Sequence, residues 1–197
     1  MSQKEKVYDK HQIRKIIKRT LEKRRYEHTL GVAYTAAALA MRYEADMEQA
    51  ELAGLLHDCA KYMNAEDMLR ACKEYKIEVS DVERRNPFLL HAKLGRQMAE
   101  EIYGVHDTEI LDAIKWHTTG HPNMTLLEKI IFIADYIEPN RIEAPNLKQI
   151  RHLAFTDLDD AMRIILKDTL DYLDAIKGEV DDMTRKTYEF YMKHREA

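Results

Sequence analysis

The chain has little that breaks a helix and little that ties a fold together covalently. Its 197 residues include only 6 glycines and 4 prolines, and no stretch alternates between apolar and polar residues as a half-buried strand would. Scarce breakers favour long helices with short connections, so the expected class is all-α. Cys59 and Cys72 are the only cysteines; two are too few for a disulfide scaffold, and they lack zinc-ribbon spacing. No uninterrupted apolar run approaches the roughly 18–20 residues a membrane span needs. The segment Met1–Arg25 is charged and amphipathic, without the apolar centre of a signal peptide. A cytoplasmic protein with no membrane partner is therefore expected. The only serines, Ser2 and Ser80, sit in no nucleophile elbow, and no glycine-rich loop is present to cradle phosphates. Neither sign of charge dominates. The 31 basic and 35 acidic residues, net -4, are mixed along the chain, which argues against a nucleic-acid surface but leaves room for a small basic pocket.

What is present is an ordinary balance of 45% hydrophobic and 34% charged residues, enough for one domain with a buried pocket. Residues 1–197 are read as a single domain, its core over about 25–141, with an N-terminal helix and C-terminal helices packed on it. Apolar periodicity predicts helices over Lys4–Arg25, Tyr26–Tyr43, Asp46–Tyr62 (with Asp46 as N-cap), Ala65–Tyr75, Leu90–Tyr103, Thr108–His117, Thr125–Ile137 and Asp157–Lys177. A last charged helix is expected from Asp181 to Lys193. Ser80–Pro87 reads as an irregular connection and Glu138–Arg151 as a loop broken by Pro139 and Pro145.

Chemistry-bearing residues interrupt the apolar faces. His28 falls on the stripe formed by Val32, Thr35 and Leu39. His57 and Asp58 follow Leu52-Ala53-Gly54-Leu55-Leu56, and Asp135 ends Ile130-Ile131-Phe132-Ile133-Ala134. His91 and His117 each stand at the edge of a helix with an apolar face. A single inward histidine is more often a hydrogen-bonded core residue, and a lone His-Asp pair occurs by chance. A buried carboxylate, however, costs several kcal/mol unless it is paired or holds a metal. The ordered set therefore points to a divalent cation, and imidazole with carboxylate suits iron, manganese, cobalt or zinc better than magnesium. His11, His106, His152 and His194 lie in charged contexts and are expected to be solvated.

The order His28…His57-Asp58…Asp135 resembles the signature of the HD-domain metal-dependent phosphohydrolases, an all-helical superfamily. Longer phrases resemble its YqeK branch, the symmetrical dinucleoside-tetraphosphatases of bacteria. These are Ala53-Gly54-Leu55-Leu56-His57-Asp58-Cys59-Ala60-Lys61, Leu90-His91-Ala92 with Gly95, Ala113-Ile114-Lys115-Trp116-His117-Thr118-Thr119-Gly120 and Ile133-Ala134-Asp135-Tyr136-Ile137-Glu138-Pro139-Asn140-Arg141. The resemblance implies an HD-domain helical bundle with a dinuclear site, usually of iron. By position, His28, His57, Asp58 and Asp135 hold one metal, and Asp58 bridges to a second held by His91 and His117. It also implies that a metal-activated water or hydroxide cuts diadenosine tetraphosphate in the middle, giving two ADP. Lys61 and Asp58 are the candidate catalytic side chains. Lys61, Thr118, Thr119, Gly120, His121 and Arg141 are the candidate substrate contacts, with His121 standing where a basic residue such as arginine is expected. The alternatives are an HD phosphohydrolase for another nucleotide (a nucleotidase, deoxynucleotide hydrolase or phosphodiesterase) and a nucleotide sensor without turnover. Helical enzymes of this size often form homodimers, and Tyr188–Tyr191 is the candidate interface.

Overall fold

The computed structural model describes residues 9–193. Among them eleven α-helices follow one another, with no strand. The first five are α1 (Lys10–Thr20), α2 (Lys23–Arg42), α3 (Met47–Leu56), α4 (Ala65–Glu74) and α5 (Asp81–Arg85). A 3-10 turn over Pro87–Leu90 leads into α6 (His91–Glu101), then α7 (Thr108–Trp116) and α8 (Leu126–Ile137). The chain ends with α9 (Leu147–Leu153), α10 (Leu158–Ala175) and α11 (Asp182–Lys193). Short polar side chains start most of them. Asp9, Asp46, Asn64, Asp107 and Asp157 each accept backbone amides at a helix N-terminus. Ser80 with Glu83, and Thr125 with Glu128, form reciprocal capping boxes.

The core is built around α2. It lies along α3 and against α8, while α7 packs on both α6 and α8. Helix α10 closes the other side of α8 and carries α9 and α11. Close approach of α2 and α3 depends on one glycine: a Cβ on Gly54 would lie 2.8 Å from the Ala33 Cα. This contact sets where the end of α3 points, and the end of α3 carries His57 and Asp58.

Four expected boundaries shift. The first helix stops at Thr20 because Leu21 takes extended backbone, and α2 begins three residues before Tyr26. The His57-Asp58 pair does not lie on a helix running to Tyr62; α3 ends at Leu56. Beyond it the chain tightens into turns, with the amides of Cys59, Lys61 and Met63 donating to the carbonyls of Leu56, Asp58 and Ala60. The Ser80–Pro87 connection contains α5, whose Ser-x-x-Glu box is readable in the sequence. The loop after Glu138 ends early at α9, where Asn146 adopts φ +52° and its amide donates to Asp168 at 2.8 Å.

In the Tyr188–Tyr191 segment only Tyr191 is buried; Tyr188 and Phe190 are half-buried and Glu189 is exposed. Tyr191 is 3% exposed, and its hydroxyl accepts the Met124 amide. His11, His106 and His152 are exposed; His194 and the start of the Lys4–Arg25 helix lie outside the described residues. No helix among the described residues is long and apolar enough to cross a membrane. Gly54→Ala should lower unfolding stability by about 1–3 kcal/mol, the usual cost of overpacking; an unchanged denaturation midpoint would contradict the close α2–α3 crossing.

Candidate metal centre

Five helices deliver the six side chains expected to hold metal. His28 projects from the second turn of α2, and His57 and Asp58 follow α3 directly. His91 opens α6, His117 follows α7, and Asp135 lies in the last turn of α8. His57, Asp58, His91 and His117 are each 3% exposed or less. Asp135 is not fully buried, since about a quarter of its side chain (26%) reaches solvent.

The two oxygens of Asp58 face two different groups. Its Oδ1 lies 3.3 Å from His91 Nε2 and 3.5 Å from His117 Nε2. Its Oδ2 lies 3.5 Å from His57 Nε2 and 3.9 Å from His28 Nε2. Asp135 Oδ1 completes the second group, 3.0 Å from His28 Nε2 and 3.9 Å from His57 Nε2. Three overlapping sets result, each with ligand atoms within 4.8 Å of one another: His28-His57-Asp58, His57-His117-Asp135 and Asp58-His91-His117.

Backbone hydrogen bonds decide what those nitrogens can do. His57 Nδ1 donates to Gly54 O at 2.7 Å, His91 Nδ1 to Phe88 O at 2.5 Å, and His117 Nδ1 to Ile114 O at 2.7 Å. A carbonyl only accepts, so Nδ1 carries the proton and a neutral ring presents a lone pair on Nε2. Burial holds the His91 pKa down to about 3, although Asp58 opposes the shift, so this ring is neutral at ordinary pH. His91 Nε2 and His117 Nε2 nevertheless stand 3.0 Å apart, two acceptors facing each other. His57 Nε2 is buried with no hydrogen-bond partner. A divalent cation beside Asp58 relieves both conflicts, and the donor set fits one.

His28 is oriented differently. Its Nδ1 sits 3.1 Å from Glu138 Oε1, and the other Glu138 oxygen accepts the Asn140 amide at 2.7 Å. Burial alone would lower the His28 pKa, but Asp135, Glu138 and Asp58 outweigh it and the net shift is upward. Gly31 makes room for this carboxylate: a Cβ there would lie 2.3 Å from Glu138 Oε2.

Glu138 and Arg25 were not singled out in the sequence. Arg25 Nη1 donates to Asp58 Oδ2 at 2.8 Å. The available signal was spacing, since Arg25 precedes His28 by three residues and Glu138 follows Asp135 by three, which puts each on the same helical side. Arg24, Arg25, His28, Glu138 and Arg141 border a pocket of about 380 Å³. Arg141 Nη2 reaches Asp135 O at 3.1 Å. Burial lowers the pKa of the Lys61 ammonium, against the attraction of Asp58.

The remaining candidates divide. The Thr118 hydroxyl lies 3.2 Å from Nε2 of both His91 and His117, whereas Thr119 donates to Gly120 O. The Gly120 amide donates to Trp116 O at 2.8 Å, so it is not a free donor for substrate. At φ +61° this residue ends a turn under Thr187 and Met124. His121 is held by Glu128 at 2.9 Å and by Pro122 O at 2.8 Å, which engages both ring nitrogens, and its ring packs 5.0 Å from that of Trp116.

A family model described as "HD domain" matches residues 25–140. The chain belongs to the HD-domain family. Among its relatives is the Bacillus subtilis protein named "Bis(5'-nucleosyl)-tetraphosphatase, symmetrical", 44% identical across 88% of this chain and 92% of that one. A Staphylococcus aureus protein of the same name is 40% identical across 81% and 82%. The solved Clostridium acetobutylicum structure described as a "predicted HD superfamily hydrolase involved in NAD metabolism" superposes with a TM-score of 0.92. It is 37% identical and spans 96% of this chain and 100% of the other. Divalent metal binding through the histidine and aspartate cluster accords with this HD-domain membership.

Loss of an oriented hydrogen-bond partner behind a ligating histidine typically weakens metal binding about 10–100-fold. Glu138→Ala should do so here, and Gly31→Ala should act in the same direction by displacing the carboxylate. Metal titration with helical content followed in parallel checks both; undiminished affinity in Glu138→Ala would contradict the assignment.

Proposed function

We propose that this HD-domain protein hydrolyses diadenosine tetraphosphate and related dinucleoside polyphosphates symmetrically to two ADP. The observation that carries the reading is the placement of Asp58, whose oxygens face His28 and His57 on one side and His91 and His117 on the other. Two metal positions sharing one carboxylate suit displacement at a phosphorus. Relatives named for symmetrical tetraphosphate cleavage, matched over most of both chains, support the substrate.

In this reading His28, His57, Asp58 and Asp135 hold the first metal, and Asp58, His91 and His117 the second. Iron is the expected metal, with manganese, cobalt or zinc as substitutes suited to the same donors. When bound, the pair supplies Lewis acidity and makes hydroxide available near neutral pH. The chain's own residues do the positioning. Arg24, Arg25 and Arg141 present guanidinium donors to phosphate oxygens from the pocket beside His28. Lys61 brings a partly buried cation near Asp58, where it offsets charge gathering on the phosphoryl oxygens. The Thr118 hydroxyl offers a neutral donor beside His91 and His117. Cleavage adds one water across the central P–O–P bridge, so each half departs as a diphosphate.

In this reading all eleven helices form one domain, because α10 packs on α8 and carries α9 and α11, while α1 packs on α2. Two buried, unpaired thiols support a reducing, cytoplasmic setting.

The test is product analysis with diadenosine tetraphosphate, metal content being measured on the same sample. ADP as the sole product, lost on chelation and reduced at least a thousandfold in Asp58→Ala, is expected. AMP with ATP, or no turnover in fully metallated protein, overturns the assignment. His91→Ala should hold one metal fewer per chain; unchanged stoichiometry would sink the two-metal arrangement.

A further inference from the structure

A second cavity opens on the opposite flank of the cluster. It holds about 350 Å³ and is bounded by α5, α6, the end of α7 and the start of α11. Thr118 joins it to the centre, since this side chain lines the cavity while its hydroxyl lies 3.2 Å from Nε2 of both His91 and His117. Ala92, next to His91, lines it too. The arginine pocket meets the cluster at His28 instead. The two cavities therefore border opposite groups of the same cluster, with Asp58 between them.

Their chemistries differ. The pocket at His28 carries three arginines and suits phosphate. The cavity at Thr118 has an apolar wall of Val82, Leu89, Trp116 and Met183. Lys93, one of its lysines, is neutralised by Glu83 at 2.7 Å. Asp181, Asp182 and Lys186 stand at its α11 side; one oxygen of Asp181 accepts the Met183 amide at 2.7 Å, and the remaining carboxylate oxygens can accept hydrogen bonds from hydroxyls. An apolar wall beside a few acceptors, in a volume of this size, fits a small ligand with a flat ring. The half-buried Trp116 indole has the Lys115 ammonium 4.3 Å from its centroid. A purine arriving on that face displaces a flexible lysine, not a packed side chain.

We infer that the cavity between α5, α6, α7 and α11 is a nucleoside pocket, with Trp116 as the base platform and Asp181 and Asp182 as ribose acceptors. This rests on the dinucleotide reading above. A substrate cut at its centre extends both ways from the metals, and this cavity takes the nucleoside of one half. The arginine pocket receives phosphates of the other half.

Trp116 is the only tryptophan in the chain, so its fluorescence reports the surroundings of this one ring, which lines the cavity and packs 5.0 Å from the His121 ring. The pyrophosphate control separates occupancy of the cavity from phosphate binding at the centre. ADP and adenosine should each change its emission saturably in the unmodified protein, and inorganic pyrophosphate should not. Trp116→Ala should raise KM for diadenosine tetraphosphate roughly tenfold, the loss expected for one base–aromatic stack, with kcat changed less than twofold; Trp116→Phe should restore most of it. Emission unmoved by ADP in protein that turns over the dinucleotide overturns the assignment, as does an equal response to pyrophosphate or an unchanged KM in a folded Trp116→Ala. Failure to produce ADP from the dinucleotide would instead remove the proposed substrate, while the adenosine and ADP titrations still decide whether the pocket takes a nucleoside.

Discussion

One interaction, made three times, organises the centre: an imidazole Nδ1–H donating to the carbonyl three residues earlier. His57 uses Gly54, His91 uses Phe88 and His117 uses Ile114. Each bond is local, so every ring is oriented by its own turn of backbone before any helix docks. Tertiary packing then has one task, to bring three pre-aimed lone pairs around Asp58. Without a cation the arrangement is costly, because a buried polar atom left unmatched loses about 1–3 kcal/mol. The fold keeps that cost where binding repays it.

Asp58 is the point at which the helices' contributions meet. It follows α3, and the course of α3 is set by backbone contact between Gly54 and Ala33. A shift in that crossing would move the carboxylate relative to the rings on α6 and α7. Arg25 adds a guanidinium from α2 at 2.8 Å, which balances charge on the shared carboxylate. The centre is thus asymmetric: a guanidinium and two further carboxylates, Asp135 and Glu138, gather around His28 and Asp58, while His91 and His117 face Asp58, Thr118 and each other, with His57 beside His117.

The six ligand candidates were legible because each breaks a pattern. His28 sits on an apolar stripe, and Asp135 ends a run of isoleucine and alanine. Order along the chain then supplied the family resemblance, and the helical class followed from scarce breakers. Arg25 was not legible, since it belongs to the basic run Lys23-Arg24-Arg25, which reads as a solvated helix start. Glu138 was hidden by the Pro139 after it, which marks a loop, although its side chain is buried. Gly120 and His121 show partners the sequence does not reveal. Their motif suggests substrate contact; a positive φ at Gly120 and the buried Glu128 beside His121 add local roles that depend on α8 and α11. The ends of α1 and α3 moved because tertiary packing, not propensity, decides where an amphipathic helix stops.

Because the candidate ligands come from five helices far apart in sequence, a metal held there would act as a crosslink as well as a reagent. Any ligand that binds only the folded chain stabilises it by mass action, about 2.7 kcal/mol at a hundredfold excess over Kd. Two ions at one centre would add two such contributions, a large share of the roughly 5–15 kcal/mol typical of a whole domain. With metal bound, a carboxylate shared in this way would couple catalytic readiness to resistance against proteases. In a cell short of metal, the chain would lose not only its activity but also part of its lifetime.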